Sequence, residues 1–119
     1  MSPASVAIVT GAARGIGRAS ALALGRKGFA LALVDVRARE LSDTAGEVRG
    51  LGVEALALEG DVSDFVRAQA LGRQVLDAWG RVDVLVNNAG VSQPKGLLEI
   101  TEGEWDRTLA INLKGAFNW

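Results

Sequence analysis

The chain has 119 residues, 49% of them hydrophobic, enough for one domain with a core and too few for a second domain of ordinary size. Its 13 basic and 14 acidic residues give a net charge of −1, so there is no cationic excess to hold a nucleic-acid backbone. Cys, His and Tyr are all absent, which excludes disulfides, Cys or His metal sites, Cys nucleophiles and Ser–His–Asp triads.

The amino terminus, Met1-Ser2-Pro3-Ala4-Ser5, lacks the basic and apolar blocks of a secretory leader. The longest apolar run, Phe29 to Val34, falls far short of the roughly 20 residues that span a bilayer. A cytoplasmic protein with neither a membrane nor a nucleic-acid partner is expected. Val6 to Val9 is a β-branched run ending at Thr10-Gly11, a strand of buried type. Ile16 to Arg26 carries Ala19, Leu22, Ala23 and Arg26 at helical spacing, and Gly28 stops it. Phe29 to Val36 is a second strand, closed by Asp35. A weaker helix covers about Glu40 to Arg49, and Val53 to Leu58 is a third strand, ending before Gly60-Asp61. Ser63 or Asp64 can cap a helix running from Phe65 to Trp79, which Gly80 terminates. Val82 to Val86 is a fourth strand. Thr101 and Glu104 have capping-box spacing and open one last helix through Trp105, Leu109, Leu113 and Phe117. Strands buried on both faces and alternating with helices predict an α/β fold around a parallel sheet. The final residues, Ala116-Phe117-Asn118-Trp119, carry no helix stop signal, so a chain cut inside an element is expected.

Chemistry concentrates at the turn Thr10-Gly11-Ala12-Ala13-Arg14-Gly15-Ile16-Gly17. Free N–H groups and the positive dipole end at a helix N-terminus attract phosphate when no Cβ blocks the approach. Gly11 permits a sharp turn, Gly15 a close approach of backbone to a diphosphate, and Gly17 close packing of helix on strand. An ordinary glycine-rich turn has the same residues. Position after the first strand, and an acid 18 residues beyond Gly17, favour the phosphate site. That acid, Asp35, can accept both hydroxyls of an adenosine ribose, or simply mark a strand end. A ribose 2′-phosphate beside it would be repelled by about 4 kcal/mol per unit charge at ~4 Å and an effective dielectric near 20. Arg14 and Arg37 offset about 0–1 kcal/mol each if exposed, so NAD is favoured over NADP.

The motifs Thr10-Gly11-x-x-x-Gly15-x-Gly17, Asp61-Val62, Asn87-Asn88-Ala89-Gly90 and Asn112 follow in order along the chain. Together they resemble the N-terminal half of a short-chain dehydrogenase/reductase, similar to 3-oxoacyl-acyl-carrier-protein reductases and polyol or sugar dehydrogenases. The resemblance implies a Rossmann-type, doubly wound parallel sheet, incomplete with four strands in order 3-2-1-4. Residues 1–119 would be its dinucleotide-binding half, without the catalytic half. It implies NAD(P)-dependent hydride transfer with a small carbonyl or alcohol substrate, and a homo-oligomer in the complete protein. Gly11, Arg14, Ile16 and Gly17 would contact the phosphate arm. Asp35 would hold the ribose, Asp61 and Val62 would border the adenine, and Asn88, Ala89 and Gly90 would line the cleft. Asn87 would brace the sheet, and Asn112 would be the catalytic Asn that orders a water in a proton relay. For Asp61, capping the following helix is nearly as good a reading, and the two roles are compatible. The family's Tyr and the Lys that follows it lie outside this chain, so the 119 residues alone are expected to be inactive. A strand-four outer edge left open and an uncovered face on the last helix are further expectations. Two other classes remain: a non-enzymatic dinucleotide-binding module, and a methyltransferase-like domain, against which Asp61-Val62 and the Asn-Asn-Ala-Gly segment count.

Overall fold

In the computed structural model, which describes residues 3–119, the apolar runs become four parallel strands. The elements are β1 (Val6–Thr10), α1 (Gly15–Arg26), β2 (Ala30–Asp35), α2 (Ala38–Arg49), β3 (Ala55–Glu59), α3 (Phe65–Trp79), β4 (Val84–Val86), α4 (Glu102–Leu109), a π turn (Ala110–Lys114) and α5 (Gly115–Asn118). The strand order is β3-β2-β1-β4, so the chain is a Rossmann-type α/β fold with the strand order expected from the sequence. Met1 and Ser2, part of the segment read as carrying no leader, lie outside the described residues.

Alternation along the two central strands divides the core between the sheet faces. Ala7, Val9, Leu31 and Leu33 pack with Ala21 of α1 and Leu41, Ala45 and Val48 of α2. Val6, Ile8, Ala32 and Val34 face Leu71, Val75 and Trp79 of α3 on the other side. Every residue of β1 and β2 is buried, while the flanking β3 and β4 are only partly covered. Of the two candidate caps for α3, Asp64 is the one used: its carboxylate accepts the Arg67 amide at 3.0 Å. Gly80 ends α3 with φ +73°, a left-handed conformation costly for other residues. Thr101 and Glu104 form the capping box on α4.

Three expectations need correction. The fourth strand begins at Val84 and not at Val82, because the β1 partner it needs is already taken. The Val6 amide donates to the Asp83 carboxylate at 2.8 Å, and Arg81 holds that carboxylate from the other side. The second strand stops at Asp35, leaving Val36 53% exposed. The last helix is not one continuous α-helix: five residues, Ala110–Lys114, wind as a π turn between α4 and α5. Such a turn changes which side chains face inward beyond it, and here it accompanies burial of Ile111, Gly115 and Asn118. Trp105, Leu109, Leu113 and Phe117 remain exposed on the outer face.

Candidate functional site

Parallel strands bring all their carboxyl ends to one edge of the sheet, and a crevice opens there where the order reverses between β1 and β4. A cavity of about 300 Å³ occupies this place. The glycine turn contributes Gly11 and Arg14 to its wall. The ends of β2 and β3 contribute Asp35, Arg37, Gly60, Asp61 and Val62. The segment after β4 contributes Asn88, Ala89, Gly90 and Val91, and the last helix adds Arg107 and Ile111.

The glycine turn is built by contact. Gly11 has φ +67°, and a Cβ there would stand 2.8 Å from Asn88 Nδ2 and 3.0 Å from Ala89 Cα. Gly17 lies beneath it, where a Cβ would fall 2.0 Å from the Gly11 carbonyl oxygen. Gly17 is therefore buried packing between helix and strand, outside the cavity lining. Gly15 has φ +59° and open space where a Cβ would be, and Ile16 beside it is 76% exposed. Both flank the cavity at the mouth of α1 without lining it. Arg14 occupies the N-cap position, but its side chain caps nothing, and the first turn holds no acidic residue. The positive end of α1 thus faces outward with no carboxylate of its own helix to meet it.

Asp35 is drawn into the turn. Its Oδ2 accepts the Ala13 amide at 3.0 Å, and its Oδ1 accepts the Arg37 amide at 3.0 Å. Arg37 Nη1 stands 3.5 Å from Oδ1, with the Asp35 side chain 4% exposed and that of Arg37 43% exposed. The carboxylate thus borders the cavity while each of its oxygens already accepts one backbone amide inside the protein.

Asp61 carries an Asx turn. Its Oδ1 accepts the Ser63 amide at 2.9 Å and the Ser63 hydroxyl at 2.7 Å. Burial pushes its carboxyl up, but the two Ser63 hydrogen bonds and the nearby Arg107 charge outweigh this and hold it below its ordinary value. Asp61 therefore shapes the loop before α3, while capping falls to Asp64.

Past β4 it is Asn88, and not the exposed Asn87, that braces the structure. Asn88 Nδ2 donates to the carbonyls of Thr10 at 3.2 Å and Gly11 at 3.3 Å. The Thr10 hydroxyl, 1% exposed, accepts the amides of Asn88 and Ala89, both at 3.0 Å. Thr10 is the organising residue that the sequence reading left without a role. A hydroxyl closing an otherwise apolar strand was its signal. Asn112 sits in the π turn, where Oδ1 accepts the Val91 amide and Nδ2 donates to the Val91 carbonyl, each at 2.8 Å. Its side chain is a clamp on the Ala89–Val91 segment and does not line the cavity. Arg107 and Ile111 line the cavity without having been expected there, and Arg37, expected only as a counter-charge near the ribose, lines it too.

Comparison with known proteins bears on the same features. A family model described as short chain dehydrogenase matches residues 5–119. A 3-oxoacyl-[acyl-carrier-protein] reductase of Staphylococcus aureus is 39% identical over 113 residues, covering 94% of this chain and 46% of that protein. A 3-ketoacyl-ACP reductase from Sinorhizobium meliloti superposes with TM-score 0.91 at 38% identity, covering 95% of this chain and 45% of that one. An alcohol dehydrogenase from the archaeon Thermococcus sibiricus, complexed with 5-hydroxy-NADP, superposes with TM-score 0.92 at 40% identity, covering 96% of this chain and 49% of that one. The chain thus spans about half the length of the relatives it matches. With the strand order, the glycine turn and nearly the whole chain in agreement, the protein belongs to the short-chain dehydrogenase family.

Proposed function

We propose that the cavity binds a nicotinamide dinucleotide and that the chain is the cofactor-holding half of an NAD(P)-dependent oxidoreductase. The observation that carries this reading is the convergence on one cavity of Gly11, Arg14, Asp35, Asp61, Val62, Asn88, Ala89 and Gly90. The residues fit such a ligand. The uncapped mouth of α1 with Gly15, Ile16 and Arg14 suits a diphosphate, and the Gly11 approach leaves no room for a side chain. Asp35 faces the ribose, Asp61 and Val62 border the adenine, and Asn88 to Gly90 hold the rim toward the nicotinamide.

Such a cofactor, when bound, supplies or accepts a hydride, so that a carbonyl with a proton becomes an alcohol, or the reverse. This chain's residues bind and orient. With no Tyr, His or Cys among them, the 119 residues hold no phenol, imidazole or thiol for proton transfer. Asn112 is the one catalytic assignment carried by the family resemblance; its bonds to Val91 use one donor and one acceptor of the side-chain amide, leaving a second of each for a water.

NAD is the favoured cofactor on the strength of the Asp35 carboxylate at the cavity wall. NADP is the competing reading, because the Arg37 guanidinium is far more exposed than the carboxylate it pairs with, and because one solved relative holds 5-hydroxy-NADP. A homo-oligomeric complete protein in the cytoplasm follows from the family resemblance, and the exposed face of Trp105, Leu109, Leu113 and Phe117 is an apolar surface open to the rest of such a protein. Calorimetric titration with NAD and NADP is the test: saturable heat with at least one supports the reading, and none with either overturns it. The 119 residues alone are expected to bind without oxidising NADH against a carbonyl panel, and oxidation by them would overturn the expectation that they are inactive.

A further inference from the structure

Asn118 has no role in the dinucleotide reading, yet it is 1% exposed, unusual for an amide side chain. Its Nδ2 donates to the Val62 carbonyl at 2.8 Å, joining residues 56 positions apart. Gln69 of α3 donates its Nε2 to the carbonyl of Asn118 at 3.0 Å and so holds it from behind. One turn earlier Gly115 lies directly against Val62, where a Cβ would stand 2.7 Å from Cγ2. Val62 follows β3 and has left the sheet ladder, so the carbonyl that Asn118 meets belongs to loop backbone. Val62 itself lines the cavity. The Asn118 Oδ1 is buried with no partner, so the side chain keeps its donor on Val62 although its acceptor goes unmet.

We infer that Asn118 is a positioning residue for the cavity wall formed by Asp61 and Val62: its amide sets, through the Val62 carbonyl, how deep the surface offered to the adenine lies. This rests on the dinucleotide reading above. Ser63 pins the same loop from within through Asp61, so Asn118 is the hold that comes from a separate element of the chain.

The test titrates ADP and inorganic pyrophosphate against the protein, followed by NMR shifts. Asn118→Asp keeps the side-chain shape but sets a carboxylate oxygen against the Val62 carbonyl. It is expected to weaken ADP about tenfold, as for one lost oriented hydrogen bond, and to leave pyrophosphate unchanged. Gln69→Ala removes only the support behind Asn118. It is expected to weaken ADP about threefold, and it decides by the same comparison should Asn118→Asp fail to fold. Equal weakening of both probes indicates general loosening and overturns the inference, as does unchanged ADP affinity. If the parent protein binds neither NAD nor ADP, the dinucleotide reading falls and takes this inference with it. Parent binding with unaffected variants overturns the inference alone.

Discussion

The hydroxyl of Thr10 accepts the backbone amide of Asn88 at 3.0 Å, joining the end of the first strand to the segment after the fourth across 78 residues. The same oxygen accepts the Ala89 amide. Thr10→Val keeps the shape and removes the acceptor, leaving the Ala89 amide without a partner and the Asn88 amide with the Val86 carbonyl at 3.0 Å alone. The expected loss is about 1–3 kcal/mol in urea unfolding. A change under about 0.5 kcal/mol would mean that water meets those amides instead.

Gly17→Ala puts a methyl where the Gly11 carbonyl oxygen already is, at 2.0 Å. Two backbone segments must separate, so a loss of about 3 kcal/mol or more is expected, together with weaker dinucleotide binding. An alanine variant with parental melting temperature and affinity would contradict the packing described for this turn.

Asp35→Ala removes the acceptor for the Ala13 and Arg37 amides as well as the charge at the ribose position. Stability should fall by about 1–3 kcal/mol, and the ratio of NAD to NADP affinity should shift about tenfold toward NADP. Lost stability with an unchanged ratio would leave Asp35 a loop anchor only, without the ribose role.

Acid should destabilise the fold through Asp61, Asp83 and Glu104. Hydrogen bonds from Arg81 and the Val6 amide lower Asp83, and those from Lys95 and the Thr101 amide lower Glu104. For Asp61 burial raises the value, and the two Ser63 hydrogen bonds with the Arg107 charge together outweigh it. Each folded value lies below the unfolded one, about 3.9 for Asp and 4.3 for Glu, so the unfolded chain binds more protons in that window. Their contribution is complete above about pH 5 and disappears as pH falls through the folded values. Urea midpoints measured from pH 6 to pH 3 should decline, and Asp61→Asn should flatten the slope. A midpoint that does not change over that range would refute the assignment.

The sheet could be read from the chain because β1 and β2 are buried on both faces and leave unbroken apolar runs, while Asp64, Gly80, Thr101 and Glu104 cap by local chemistry. The sequence does not distinguish Asn88 from Asn87 as the brace, because neighbouring identical side chains differ only in direction, which the strand end decides. Arg107 and Asn118 reach their positions through tertiary contact and leave no local pattern. The π turn was invisible for a related reason. Its winding answers to Val91 on one side and Val62 on the other, and the apolar spacing of Trp105, Leu109, Leu113 and Phe117 describes the exposed face.

That turn has a consequence for tolerance to sequence change. A helix normally suffers most from losing a single residue, since everything downstream rotates by about 100°. Here Ala110–Lys114 holds one residue more than ordinary winding requires. Excision of the exposed Leu113 would let the coil relax to regular pitch, with Asn118 still facing Val62 and only the Asn112 clamp disturbed. The spare residue should let this stretch of the chain shorten by one position without unfolding it.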